Sequence, residues 1–196
     1  LNYCSPLLCL PIETIQMEYD LMEEKDKQRR ADYILNFASP YLTSEYRTTP
    51  HLHQQLKFYI ESLSEGKIYV SLFNKGQLGV GTELMASISH KRIDAALISV
   101  SNLSRALPLL DILNIPFWAS SNQAYLNLIS SKQWRDLVLV PIKTKGKFEI
   151  LLHHIVGSRT LTTVKRSNKR IIMPEDLKDI TLRVPASKVL THFYKL

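Results

Sequence analysis

Three short apolar segments alternate with two helical ones, and that alternation is what most restricts this chain. The segments are "YILNFAS" (33–39), "KIYVSLF" (67–73) and "IDAALISV" (93–100). Between them lie "TTPHLHQQLKFYIESLSEG" and "TELMASISHKR". Strands that each return through a helix run in the same direction, so the order demands a largely parallel sheet with helices on its faces. The first helix is well marked. Thr48 or Thr49 can cap it, Pro50 suits its first turn and Gly66 closes it. Leu52, Leu56, Tyr59, Ile60 and Leu63 recur at helical spacing. "NKGQLG" reads as a turn, and "IDAALISV" as a strand of the fully buried kind.

Further on, "NQAYLNLISSKQWRDLVL" predicts another helix, "FEILLHHIV" a fourth strand and "ITLRV" a fifth. Upstream, "LNYCSPLLCLP" is apolar and short; a remnant of an export signal and a frayed extension are equally compatible with it. The charged stretch that follows is helix-compatible, so residues 1–30 are expected to form an extension outside the core. The cysteines, Cys4 and Cys9, make neither a metal-ligand spacing nor a disulfide framework. No apolar run approaches the roughly 18 residues needed to span a bilayer.

The net charge is +7, unevenly spread. Residues 143–196 carry twelve Lys or Arg against four acids, so the rest of the chain is nearly neutral. A basic segment of this kind suits nucleic acid, an anionic ligand or an acidic partner. Lys165, Arg166, Lys169 and Arg170 could track a phosphate backbone, although no aromatics interleave them and no base-reading module surrounds them. Enzymatic chemistry is not expected: GxSxG, HExxH, Walker and GxGxxG patterns are all missing from the sequence. "GQLGVG" has the wrong spacing for phosphate and reads as a turn before a helix. His51 and His53 are expected to face solvent. In "LLHHIV" only one of His153 and His154 can point to a given face, and neither has a metal-ligand neighbour. No metal or cofactor is expected.

Arg159 follows one apolar strand segment, "LLHHIVGSR", and Arg183 lies in another, "ITLRVP". A guanidinium is costly to desolvate without an anion, and its planar fork matches a carboxylate at two points. Two readings stand open for Arg183: a structural pair with Glu175 or Asp176, or recognition of a ligand carboxylate.

The order of short motifs adds a resemblance. "GKIYVSLFNKGQLG", "TELMASISHKRIDAALISVS", "LNIPFW", "GSR" (157–159) and "PEDLKDITLRVP" follow one another over residues 33–195. In that order they resemble the solute-binding proteins of TRAP transporters, the tripartite ATP-independent periplasmic systems. The chain departs from the family pattern at Asp179, where Gly is usual, at Ala119 and His154, where aromatics are common, and at His90-Lys91-Arg92.

The resemblance implies a periplasmic-binding-protein-like α/β fold, with two domains hinged around a cleft that holds a small organic acid. A first α/β domain is expected over 31–155, and the incomplete start of a second over 156–196. Arg183 matches the family's principal carboxylate-binding arginine, and Arg159 its supporting one. Ser99, Ser101 and Asn102 follow a strand, where open α/β sheets place ligands, and Trp118 is expected to wall the pocket. The implied role is periplasmic capture of a carboxylate and its delivery to membrane transporter subunits. A sensory carboxylate-binding module and a nucleic-acid-binding protein using 165–170 are the alternatives.

Overall fold

The computed structural model describes residues 23–41, 50–155, 160–162, 171–185 and 187–195. It falls into two compact units, one up to Ser99 and one from Val100 onward.

The first unit is a three-stranded parallel sheet with helices. Its elements run α1 (Glu24–Arg30), β1 (Tyr33–Ala38), α2 (Pro50–Leu63), β2 (Ile68–Phe73), α3 (Thr82–Ser89) and β3 (Ala95–Ala96). The strand order is β2-β1-β3, so the first strand is central. Tyr33 aligns with Ile68 and Phe37 with Ala95. Ala38, Leu84 and Ile93 are buried together, with Phe73, Ile88, Ala96 and Ile98 packed against them. Burying such side chains supplies the main driving force for the unit.

The sheet and both helices fall where the hydrophobic pattern puts them, with two differences. The third strand is much shorter than "IDAALISV". The Asp94 carboxylate accepts the Asn36 N–H at 2.8 Å and its side-chain amide at 3.1 Å, taking a donor of the central strand that a longer β3 would use. His53, expected at the surface, is 1% exposed and tilted against Phe37. Position in the first turns of a helix does not reveal which face meets the sheet.

The edge strand β2 is closed by side chains of α2 and of Ser64, the residue after it. Glu61 Oε1 accepts the Val70 N–H at 2.8 Å, and Lys57 Nζ donates to the Val70 carbonyl at 2.9 Å. Ser64 Oγ accepts the Ile68 N–H at 3.0 Å. Lys57 is also ion-paired to Glu61 and to Glu24 of α1, both at 2.9 Å, and lies over the Tyr69 ring. Burial opposes the charge on Lys57, but its bonds to Glu61 and Glu24 outweigh that and raise its pKa above the usual lysine value. Thus α1, although within the residues expected to form an extension, is tied to α2 and β2.

The second unit is helical among its described residues. It comprises α4 (Val100–Leu103), a 3₁₀ helix (Pro108–Asn114), α5 (Asn122–Ile129), α6 (Lys132–Trp134), α7 (Val140–Gly146), a 3₁₀ turn (Pro174–Leu177) and α8 (Lys188–Phe193). The single helix expected over "NQAYLNLISSKQWRDLVL" is broken at Ser130–Ser131. Ser131 Oγ accepts the Trp134 N–H at 3.0 Å and so starts a new helix. A π turn, Arg135–Leu139, joins α6 to α7 just ahead of Pro141, which has no N–H to give the α-helical ladder. Leu107, Leu110, Trp134, Val138, Ile142 and Leu190 are buried in this unit.

Two expected strands do not form. Residues 148–155 ("FEILLHHI") and 180–184 ("ITLRV") are irregular. A strand exists only through its ladder, and no described residue of the second unit pairs with either segment. Their apolar alternation is genuine, but it cannot create a partner. Among the described residues no helix is long and apolar enough to cross a membrane.

Candidate ligand site

Arg183 lies on a backbone span held at both ends. Upstream, Pro174–Leu177 forms a 3₁₀ turn fixed by Asp176, whose Oδ2 accepts the N–H groups of Ile172 at 2.8 Å and Met173 at 2.9 Å. The Ile180 N–H donates to the Leu177 carbonyl at 3.1 Å. Between these anchors and Ser187, Asp179 takes a left-handed conformation, φ 64°, which glycine adopts more readily than any other residue. Arg183 itself is exposed, and among the described residues no carboxylate lies within ion-pair distance of it. The structural pair with Glu175 or Asp176 therefore does not form. Arg159 and the 165–170 cluster lie outside the described residues.

Downstream, the span ends in a buried polar network. Ser187 Oγ accepts the Leu190 N–H at 3.1 Å, capping α8, and donates to Asp111 Oδ1 at 2.6 Å. Asp111 Oδ2 accepts the Val189 N–H at 3.2 Å, and its Oδ1 also takes the Asn114 amide at 2.8 Å. Asn114 in turn accepts the Ser101 hydroxyl at 3.0 Å, and Ser104 donates to the Ser101 carbonyl at 3.1 Å. Burial disfavours the Asp111 charge, but the bonds from Ser187, Asn114 and the Val189 N–H outweigh it and hold its carboxyl below the usual aspartate range. Nothing in the sequence analysis found this network. Its local trace is the Ser187 cap before "KVLTHF"; the partner is 76 residues away in sequence.

The expected strand-end residues separate here. Ser101 is fully buried in the network, whereas Asn102 is half-buried in α4. Ser99 is half-buried at the end of the first unit. Trp118 is half-buried, donates its indole N–H to the Leu113 carbonyl at 3.4 Å, and meets the Tyr125 ring at 5.8 Å. Tyr125 and Trp134 both stand edge-on to His153, at 6.3 and 5.9 Å. His153 Nε2 and Trp134 Nε1 are buried without a hydrogen-bond partner among the described residues. Burial pushes the His153 pKa down. Its neighbour His154 is exposed. Among the described residues no three His, Cys, Asp or Glu side chains are placed to hold a metal.

A three-stranded parallel sheet flanked by helices, followed by a helical unit, makes this an α/β protein. Two solved structures share the fold. One is a TRAP periplasmic solute binding protein from Sulfurospirillum deleyianum with bound succinate, at TM-score 0.63 and 19% identity. It matches over 84% of this chain and 51% of its own length. The other is the sugar acid binding protein DctPAm from Advenella mimigardefordensis in complex with galactonate, at TM-score 0.51 and 20% identity. Here the match covers 58% of this chain and 36% of that one. The chain thus spans about half, or less, of these proteins. No curated protein matches it. The model of the bacterial extracellular solute-binding proteins, family 7 (DctP), matches residues 42–196, and the chain belongs to that family.

Proposed function

We propose that the protein captures a small organic acid in the periplasm and delivers it to the membrane subunits of a TRAP-type transporter. The observation that carries this reading is Arg183. It is an exposed arginine with no carboxylate partner among the described residues, on a span anchored at both ends, within the segment that matches the family. Such a group is available for a two-point fork with a ligand carboxylate, and the hydration it gives up on binding is repaid by that anion. In this reading Arg159 reinforces the fork, and Ser99, Asn102 and Trp118 complete the contacts. Ser101 fixes α4 from within the polar network. Residues 31–155 and 156–196 correspond to a first domain and the start of a second, which close around the ligand. Family membership favours binding without chemistry.

Succinate and galactonate, the ligands of the two similar structures, are the first probes. Calorimetry should find one or both binding the wild type. Removing one partner of a desolvated charged pair costs about 2–5 kcal/mol, a roughly 30-fold to several-thousand-fold loss for Arg183→Ala. Equal affinity in wild type and variant would remove Arg183 from the site.

A further inference from the structure

We propose that Asp111 is a positioning residue for Arg183, locking the far end of the Arg183 span onto the Pro108–Asn114 helix. The proposal rests on the reading of Arg183 as the carboxylate-binding group. Residues 181–184 make no backbone hydrogen bond to another described residue, so the backbone bonds that hold this span are those at its ends. The upstream end is the Pro174–Leu177 turn. The downstream end is Ser187, four residues beyond Arg183, whose N–H donates to the Pro185 carbonyl at 2.8 Å. Ser187 is 1% exposed and its hydroxyl donates to Asp111. The neighbouring Val189 N–H uses the second carboxylate oxygen, so Asp111 grips α8 at two points. Through Asn114 the same carboxylate is joined to Ser101, beside Asn102.

A buried polar cluster of this kind is a poor way to gain stability, because apolar groups of the same volume would serve as well or better. What it supplies is register: each donor and acceptor is satisfied in one arrangement, and a slip of the span would leave buried groups unpaired. Asp111 therefore governs where the Arg183 guanidinium stands relative to Asn102, without touching the ligand.

The test uses Asp111→Asn, which keeps the shape of the side chain but replaces one accepting oxygen by a donor. Amide hydrogen exchange without ligand should quicken at least tenfold over residues 181–190, with β1 and β2 unchanged. Unaltered exchange there overturns the proposal. Calorimetry with succinate then compares Asp111→Asn in the wild-type and Arg183→Lys backgrounds. A loss of about tenfold in the first and little in the second is expected, since the variant acts through the fork; equal losses in both overturn it. Should Asp111→Asn not fold, Ser187→Ala removes one hydroxyl and should give the same pattern at smaller size. Failure of succinate and galactonate to bind the wild type would refute the ligand reading instead, and the exchange result would still decide whether Asp111 holds the span.

Discussion

Replacing Glu61 probes how the open edge of the sheet is closed. The side chain is 3% exposed and performs two tasks: it accepts the Val70 N–H at 2.8 Å and pairs with Lys57 at 2.9 Å. Glu61→Ala removes both. An unpaired buried N–H costs about 1–3 kcal/mol. Losing one partner of a buried pair costs about 3–5 kcal/mol when the other charge is stranded. Lys57 is not stranded, because Glu24 and the Val70 carbonyl remain, so the pair's share falls well below that range. The total for Glu61→Ala is then about 3–4 kcal/mol. Glu61→Gln keeps an acceptor for Val70 and loses the charge, and should cost about 1–2 kcal/mol. Urea unfolding of the three proteins, monitored by far-UV circular dichroism, measures both numbers. Equal destabilisation by Gln and Ala would refute the reasoning, since it would mean that the Val70 bond contributes nothing. Glu24→Gln is the control: it leaves Val70 paired and, because Glu24 is more than half exposed, should cost under about 1 kcal/mol.

Four further outcomes are expected. Lys147, exposed with φ 58° just past α7, sits in the left-handed region that favours glycine, so Lys147→Gly should raise stability by about 1 kcal/mol in urea unfolding. Asp179→Gly should gain less, because Asp tolerates that conformation better. At Gly79, φ 98°, an added Cβ would lie 2.9 Å from Glu83 Cβ; Gly79→Ala should lower the thermal midpoint, at a cost of about 1–3 kcal/mol. His153 has its pKa depressed by burial, so the unfolded chain takes up its proton first. Stability should therefore fall as pH drops below about 6.5 towards the folded pKa, by at most about 1.4 kcal/mol per pH unit, and level off beneath it. His153→Phe should flatten that decline, and a thermal-melt series from pH 7.5 to 5 would show whether it does.

The sequence by itself determined the sheet. Its alternation of apolar segments with 3.6-period helices reports which side chains seek burial, and in the first unit that preference has local partners to satisfy it. Thr82–Ser89, the "NKGQLG" turn and the order of three parallel strands follow from that pattern. The family was legible too, because its motifs are short local devices: turns, caps and an arginine two residues before a proline. Tertiary structure decided everything that depends on a partner distant along the chain. Alternation in "FEILLHHIV" and "ITLRV" signals a strand only where a ladder meets it. His53 is buried because α2 turns that face to Phe37. Asp176, near enough in sequence to claim Arg183, instead accepts the backbone N–H groups of Ile172 and Met173. Asp111 meets Ser187 across 76 residues, through bonds whose direction no periodicity encodes. Burial is a property of a residue, and a sequence can state it. Pairing is a property of two residues, and only the folded chain brings them together.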